Sequence, residues 1–311
     1  MASPRNKTIT LSVAEEAAFL KRCVTPRAPI GAADALDTVL LGDTFSLLPL
    51  LPEASVDLLI VDPPYNLTKD FGGRQFKKRD EKAYRAFTAQ WLDAVTPLLK
   101  PNASLYVCCD WESSLVIGPL LCERFTVRNR ITWQREKGRG ASKNWKNSME
   151  DIWFATVSED YCFHVDAVKQ RRAVVAPYRE NGLPKDWQET EDGRFRDTCP
   201  SNFWDDITVP YWSMTENTEH PTQKPEKLLA KLILASSSEG DLVLDPFLGA
   251  GSTAVTAQKL GRHFVGIEQN PRYCALTQKR LALAKEDPSI QGYTDGVFWA
   301  RNTHTAQMKK K

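Results

Sequence analysis

Apolar residues fall along this chain in short unbroken runs more often than in strict alternation. Seven runs read as strands: "TVLL" 38–41, "VDLLIVD" 56–62, "SLYVCCD" 104–110, "FTVRNRITW" 125–133, "DIWFATVS" 151–158, "LVLDP" 242–246 and "HFVGIE" 263–268. Continuous runs of this kind belong to strands covered on both faces. Helical spacing appears between them, notably over 81–99, 225–236 and 253–260. Strand alternating with helix predicts an α/β protein with a parallel, doubly wound sheet. From about 160 to 218 the rhythm breaks: Pro177, Gly182, Pro184, Gly193, Pro200 and Pro210 mix with charges and with Trp187, Trp204 and Trp212. This stretch predicts an insertion of irregular structure. No repeat or low-complexity tract interrupts the chain, and the closing "KKK" reads as a frayed tail.

A chain of 311 residues can bury a substantial core. The opening "MASPRNKTIT" lacks the apolar core of a secretory signal, and no run of 18 apolar residues occurs, so the expectation is a soluble protein without a membrane span. Seven cysteines without CxxC spacing, two of them adjacent at 108 and 109, suit reduced buried thiols in a cytoplasm-like compartment better than disulfides or zinc. The four histidines, at 164, 220, 263 and 304, lack ligand spacing, and no metal is expected.

The net charge of +2 conceals a segregation. Residues 124–146 carry Arg124, Arg128, Arg130, Arg135, Lys137, Arg139, Lys143 and Lys146 against Glu136 alone, a local charge of +7. Residues 69–85 carry +4, so the remainder sums to −9. Such strips suit a polyanion, and Trp133 and Trp145 in the first could stack on bases; a solvated face is the plainer explanation of the charges alone.

In open α/β sheets ligands sit beyond the carboxyl ends of the strands. "LVLDPFLGAGST" ends a strand with Asp245 and then offers Gly249 and Gly251, whose missing side chains would let a ligand approach the backbone before a helix begins near Thr253. "HFVGIEQN" ends the next with Glu268, seventeen residues after Gly251, about where an acid accepts hydrogen bonds from a ribose; "VLLGD" ends another with Asp43. "LIVDPPYNL" places Asp62 at a sheet rim ahead of two prolines. The Asp62 carboxylate and the Pro63 carbonyl could accept both hydrogens of an exocyclic amine and turn its lone pair towards an electrophile, with Tyr65 stacked on the ring. A plain Asp-Pro turn is the competing explanation.

"DPPYNL" at 62–67, "HPTQKP" at 220–225 and "DPFLGAGST" at 245–253, in that order, resemble the β-group of S-adenosylmethionine-dependent DNA amino-methyltransferases, most closely those acting on adenine N6. The resemblance spans about 38–283. It implies a Rossmann-like methyltransferase fold with a seven-stranded, mostly parallel sheet in circularly permuted order, the catalytic half first and the cofactor half last. By position it implies catalytic roles for Asp62, Pro63, Pro64 and Tyr65. Cofactor contacts would come from Asp43, His220, Thr222, Gln223, Lys224, Asp245, Phe247, Gly249, Gly251, Ser252, Thr253 and Glu268. Lys224 would neutralise the cofactor's carboxylate.

The implied organisation is an N-terminal extension (1–36), a catalytic half (37–159), a target-recognition insertion (160–218), a cofactor half (219–285) and a C-terminal tail (286–311). "SNFWDDI" within the insertion resembles a segment found before "HPTQKP" in relatives. Arg171, Arg172, Arg179, Arg194 and Arg196 are candidates for guanine or phosphate contacts, and a helix over 12–22 is expected to pack on the body or on a dimer partner. The implied substrate is double-stranded DNA with its target adenine flipped out, gripped by both basic strips. A cognate restriction endonuclease is a further implied partner. Cytosine N4 methylation is the nearest alternative, although those enzymes more often carry serine at the position of Asp62. A nicotinamide dehydrogenase leaves 62–65 unexplained, and a DNA-binding subunit without turnover would not need them.

Overall fold

A computed structural model describes residues 6–70, 75–135, 142–174, 178–190 and 193–300. Lys137, Arg139, Pro177 and the terminal lysines lie outside the described residues.

All seven anticipated strands form, within a residue or two except at the start of the third: β1 (Thr38–Leu41), β2 (Val56–Val61), β3 (Leu99–Cys109), β4 (Thr126–Gln134), β5 (Met149–Thr156), β6 (Leu242–Asp245) and β7 (His263–Glu268). They make one sheet in the order β1-β7-β6-β2-β3-β5-β4, extended by an eighth, two-residue strand, Phe203–Trp204, from the insertion. Only β5 runs against the others. Sheet order departs from chain order as a circular permutation requires: the late strands β6 and β7 lie between the early strands β1 and β2.

Successive side chains of a strand face opposite layers. Leu59 and Val61 of β2, with Leu105 and Val107 of β3, join one core under α2 (Glu81–Val95) and α3 (Trp111–Arg124), which contribute Trp91, Leu92, Ile117 and Leu121. Leu58, Ile60, Tyr106 and Cys108 join the opposite core under α4 (Glu226–Ser236), α5 (Ser252–Lys259) and α6 (Pro271–Glu286). Most of these residues are fully buried, each worth roughly 1.5–3 kcal/mol, which explains why the strands read as continuous apolar runs. Asp80 and Asp110 cap α2 and α3 through the Ala83 and Ser113 amides, at 2.7 and 2.9 Å.

The insertion is more ordered than its composition suggests. Gln170–Ala173, Gln188–Thr190 and Gly193–Thr198 form strands of a second sheet, completed by Tyr293–Thr294 and Val297–Trp299 from the stretch read as a tail. Their pairings are antiparallel except where Val297–Trp299 lies parallel to Gln170–Ala173. Buried Asp206 anchors this layer to α4 through Lys227 at 2.6 Å and Lys231 at 3.2 Å, and Lys227 also donates to the Trp299 carbonyl at 2.8 Å. Burial pulls the Lys231 pKa down to about 8, against the opposing pull of Asp206.

The expected N-terminal helix is α1 (Val13–Leu20). Ser12 and Glu15 cap it reciprocally, and Glu15 and Glu16 pair with Lys279 and Arg272 of α6. No helix among the described residues is long and apolar enough to cross a membrane.

Candidate active site

β2 and β6 are neighbours, and their carboxyl ends deliver Asp62 and Asp245 to one edge of the sheet. Beyond them lies a cavity of about 390 Å³, a volume typical of small-ligand sites. Every residue proposed for catalysis or cofactor contact lines it except Gly251.

The turn after β2 is held from outside. Tyr84 donates to the Pro64 carbonyl at 3.2 Å, and the Asn66 amide donates to the Ser113 hydroxyl at 3.1 Å. Asp62 is thereby fixed within a charged cluster. Its Oδ1 accepts from the Tyr65 hydroxyl at 2.9 Å, and its Oδ2 lies 2.6 Å from the Lys224 ammonium. Lys224 also reaches Tyr65 Oη at 3.1 Å and Glu150 Oε2 at 3.3 Å, while Arg135 pairs with Glu150 Oε1. Burial opposes the charge on Lys224, but the carboxylates of Asp62 and Glu150 prevail and push its pKa above the usual lysine value. Burial and the same two carboxylates push the Tyr65 hydroxyl well up, so it remains a protonated donor.

The sequence reading gives Lys224 a cofactor carboxylate as its partner, and the structure shows two carboxylates of the chain itself beside its ammonium. A buried ammonium needs anions close by, and this one finds them within the chain, on Asp62 and Glu150. Sequence gives no reason to single out Glu150, because a lone acid opening an apolar strand carries no signature. Arg135 stands out in the sequence only as part of a basic strip.

On the β6 side, Asp245 accepts from the Thr253 hydroxyl at 2.6 Å and the Phe247 amide at 3.0 Å. Burial raises its pKa to about 7, against the lowering effect of those bonds. Gly249 and Gly251 both adopt left-handed backbone, at φ +56° and +78°. A β-carbon on Gly251 would stand 2.3 Å from the Thr277 methyl of α6, so this glycine serves loop-to-helix packing instead of the close ligand approach expected. At Gly249 the β-carbon would meet the His220 ring at 3.1 Å. Phe247 packs edge-on to Trp91, and Ser252 accepts from Arg280 at 3.0 Å.

Glu268 and Asp43 stand side by side because β1 and β7 pair in register, Leu41 opposite Glu268. Glu268 accepts from the Gly249 and Asn270 amides at 2.9 and 2.7 Å; Asp43 caps a short helix through Ser46 at 3.0 Å. Carboxylate oxygens have lone pairs beyond these bonds. Two acids flanking an apolar wall of Phe45, Phe247 and Ile267 fit the sugar and base of an adenosyl group.

In the "HPTQKP" segment, His220 stacks edge-on with Tyr273 at 4.5 Å and accepts from the Thr222 amide at 3.3 Å. Burial lowers its pKa to about 4, so the ring is neutral near pH 7. Gln223 is occupied at both ends of its amide, by Thr218 at 2.7 Å and by the Glu216 carbonyl at 2.7 Å, so its side chain ties the loop together.

Six cations of the basic strips have acidic partners. Arg124, Arg128, Arg130 and Arg135 face Asp93, Glu159, Asp151 and Glu150; Lys78 and Arg85 face Glu112 and Glu123. Lys143 and Lys146 are exposed. Trp133 is core, 1% exposed with its indole donating to the Ile207 carbonyl, so it offers no surface for stacking, whereas Trp145 is 92% exposed. In the insertion Arg171, Arg194 and Arg196 pair with Asp197, Glu189 and Asp186; Arg172 bonds Gln170, and Arg179 the Gly182 carbonyl.

A mostly parallel sheet in permuted order, with acids at adjoining strand ends around one cavity, is the architecture of the permuted Rossmann-like methyltransferases. The fold is shared with the PvuII DNA methyltransferase, described as cytosine-N4-specific (TM-score 0.56, 15% identity, 88% of this chain and 91% of that one). It is shared too with TTHA0409 of Thermus thermophilus, a putative DNA modification methylase crystallised with S-adenosyl-L-methionine (TM-score 0.52, 22% identity, 84% and 97%). Within that class residues 56–279 match the DNA methylase family model, and the chain belongs to this family. It is 34% identical to the DNA adenine methyltransferase YhdJ of Escherichia coli (strain K12), over 79% of this chain and 83% of that one. To the type II methyltransferase M.HpaI of Haemophilus parainfluenzae it is 32% identical, over 74% and 69%.

Proposed function

We propose that the protein methylates the N6 amine of an adenine flipped out of double-stranded DNA. S-adenosylmethionine, when bound, supplies the methyl group. The observation that carries the reading is the position of Asp62, at the end of the strand beside β6, in the same cavity as Asp43 and Glu268. Asp62 and the Pro63 carbonyl accept the amine hydrogens and direct its lone pair, and Pro64 fixes the turn. Tyr65 supports the base. Glu268 takes the cofactor's ribose hydroxyls and Asp43 its adenine edge, while Phe247, Gly249, Ser252, Thr253, His220 and Thr222 form its walls. Catalysis then rests on placement and on hydrogen bonds that orient the nitrogen. Similarity to a relative named as an adenine methyltransferase, together with an aspartate at position 62, favours adenine over cytosine.

The exposed Lys143, Trp145 and Lys146 suit contact with DNA. A second copy of the chain and a restriction endonuclease acting on the same site extend the reading to partners, and its compartment is the cytoplasm.

The test is incubation with plasmid and labelled cofactor, followed by sequencing that detects modified bases. We expect N6-methyladenine at one short sequence. Asp62→Ala should abolish transfer while cofactor affinity, measured calorimetrically, stays within a few fold; unchanged transfer would remove Asp62 from the mechanism.

A further inference from the structure

Glu150 has no part in that scheme, yet it touches three members of the catalytic cluster. It is 2% exposed, the second residue of β5. Arg135 holds Oε1, which turns Oε2 towards Tyr65 and Lys224. Both groups also hold Asp62. The Tyr65 hydroxyl lies 2.9 Å from Asp62 and 3.1 Å from Glu150; the Lys224 ammonium lies 2.6 Å from Asp62 and 3.3 Å from Glu150. The Tyr65 hydroxyl has one hydrogen and two carboxylates to choose between, and the Lys224 ammonium, with three, sits between the same pair and closer to Asp62.

The choice matters for the amine. A carboxylate bearing an ammonium and a hydroxyl keeps lone pairs for another donor, but its charge is already offset by the ammonium, and it accepts a neutral N–H more weakly than a carboxylate relieved of that cation. Releasing those donors into a buried site without another acceptor would leave a charge and a hydroxyl unsatisfied. Glu150 supplies that acceptor. Resting on the methyl-transfer reading, we infer that Glu150 is a positioning residue that takes over the Lys224 ammonium and the Tyr65 hydroxyl as Asp62 engages the substrate amine. The pair of carboxylates keeps the cluster satisfied in both arrangements. Arg135, paired to the far oxygen, keeps Glu150 aimed throughout.

The experiment measures single-turnover methyl transfer on plasmid DNA, with separate measurement of S-adenosylmethionine and DNA affinity. Glu150→Gln preserves shape and removes charge. Transfer should slow by about 10–100-fold, the scale of a misplaced reacting group, with both affinities within about threefold. A second arm repeats the substitution in a Lys224→Met background, where no ammonium competes for Asp62. There the cost of Glu150→Gln should shrink severalfold, a dependence that a general packing role does not produce. Wild-type transfer by Glu150→Gln, or an equal cost with and without Lys224, overturns the inference. If Glu150→Gln loses its native melting transition, Glu150→Asp replaces it with the same two expectations, since it withdraws the charge by one methylene. A parent protein that marks no DNA refutes the methyl-transfer reading instead, and is recognised before any variant is made.

Discussion

Gly251 shows how one residue serves a site it does not line. Its φ of +78° and the Thr277 methyl 2.3 Å from where a β-carbon would stand forbid a side chain twice over. Gly240 has a similar φ, +84°, with nothing within 4 Å. Gly240→Ala should therefore cost only backbone strain, roughly 1–2 kcal/mol. Gly251→Ala adds a clash with α6 and should cost about 3 kcal/mol or more, a difference visible in denaturant midpoints. Sequence made this glycine conspicuous through its motif but could not say whether a ligand or a helix faces it. Asp62 stood out because "DPPYNL" is followed in order by "HPTQKP" and "DPFLGAGST"; on its own, an acid ahead of two prolines reads equally well as a plain turn. Glu150 did not stand out, since its three partners come from positions 65, 135 and 224 and meet only in the fold.

At the scale of elements, the central strands were legible because burial on both faces leaves uninterrupted apolar runs. The insertion sheet was not. Gln170–Ala173 and Gly193–Thr198 carry "QRRA" and "GRFRDT", mostly polar, with Phe195 the one deeply buried aromatic of the pair. One of their partners, Val297–Trp299, lies over a hundred residues away, beyond any local pattern. The N-terminal extension has a definite task. Leu11, 7% exposed, packs with Ala250 of the loop between β6 and α5 and with Ala275 and Leu276 of α6. Leu11→Ala should cost about 2–3 kcal/mol by cavity formation, and because Ala250 loses its support, S-adenosylmethionine should bind more weakly as well. Thermal melting and calorimetry check the two effects separately. An unchanged cofactor affinity would make the extension a brace for α6 alone.

For the whole molecule, buried acids tie stability to pH. Glu216 caps α4 by accepting the Glu226 amide at 2.7 Å, and burial, reinforced by the nearby Glu226 carboxylate, raises its pKa to about 8. Unfolded, it titrates near 4.5. Between those values the folded chain binds the extra proton, so this contribution is complete below about pH 4.5 and is lost as pH rises through about 8. Asp245, raised to about 7, acts in the same direction. Glu216→Gln, which still offers the capping oxygen but cannot ionise, should melt with the parent at about pH 4.5 and a few degrees above it at about pH 8.5. A gap that narrows with rising pH would contradict the assignment.

The seam between β2 and β6 joins early chain to late. During synthesis the ribosome releases Asp62 long before the strand that must lie beside it, and the apolar flank of β2 waits without its neighbour through most of translation. A nascent polypeptide can therefore carry Asp62 to Tyr65 and still lack half the wall of the cavity, which closes only when its final third emerges and slots into the gap.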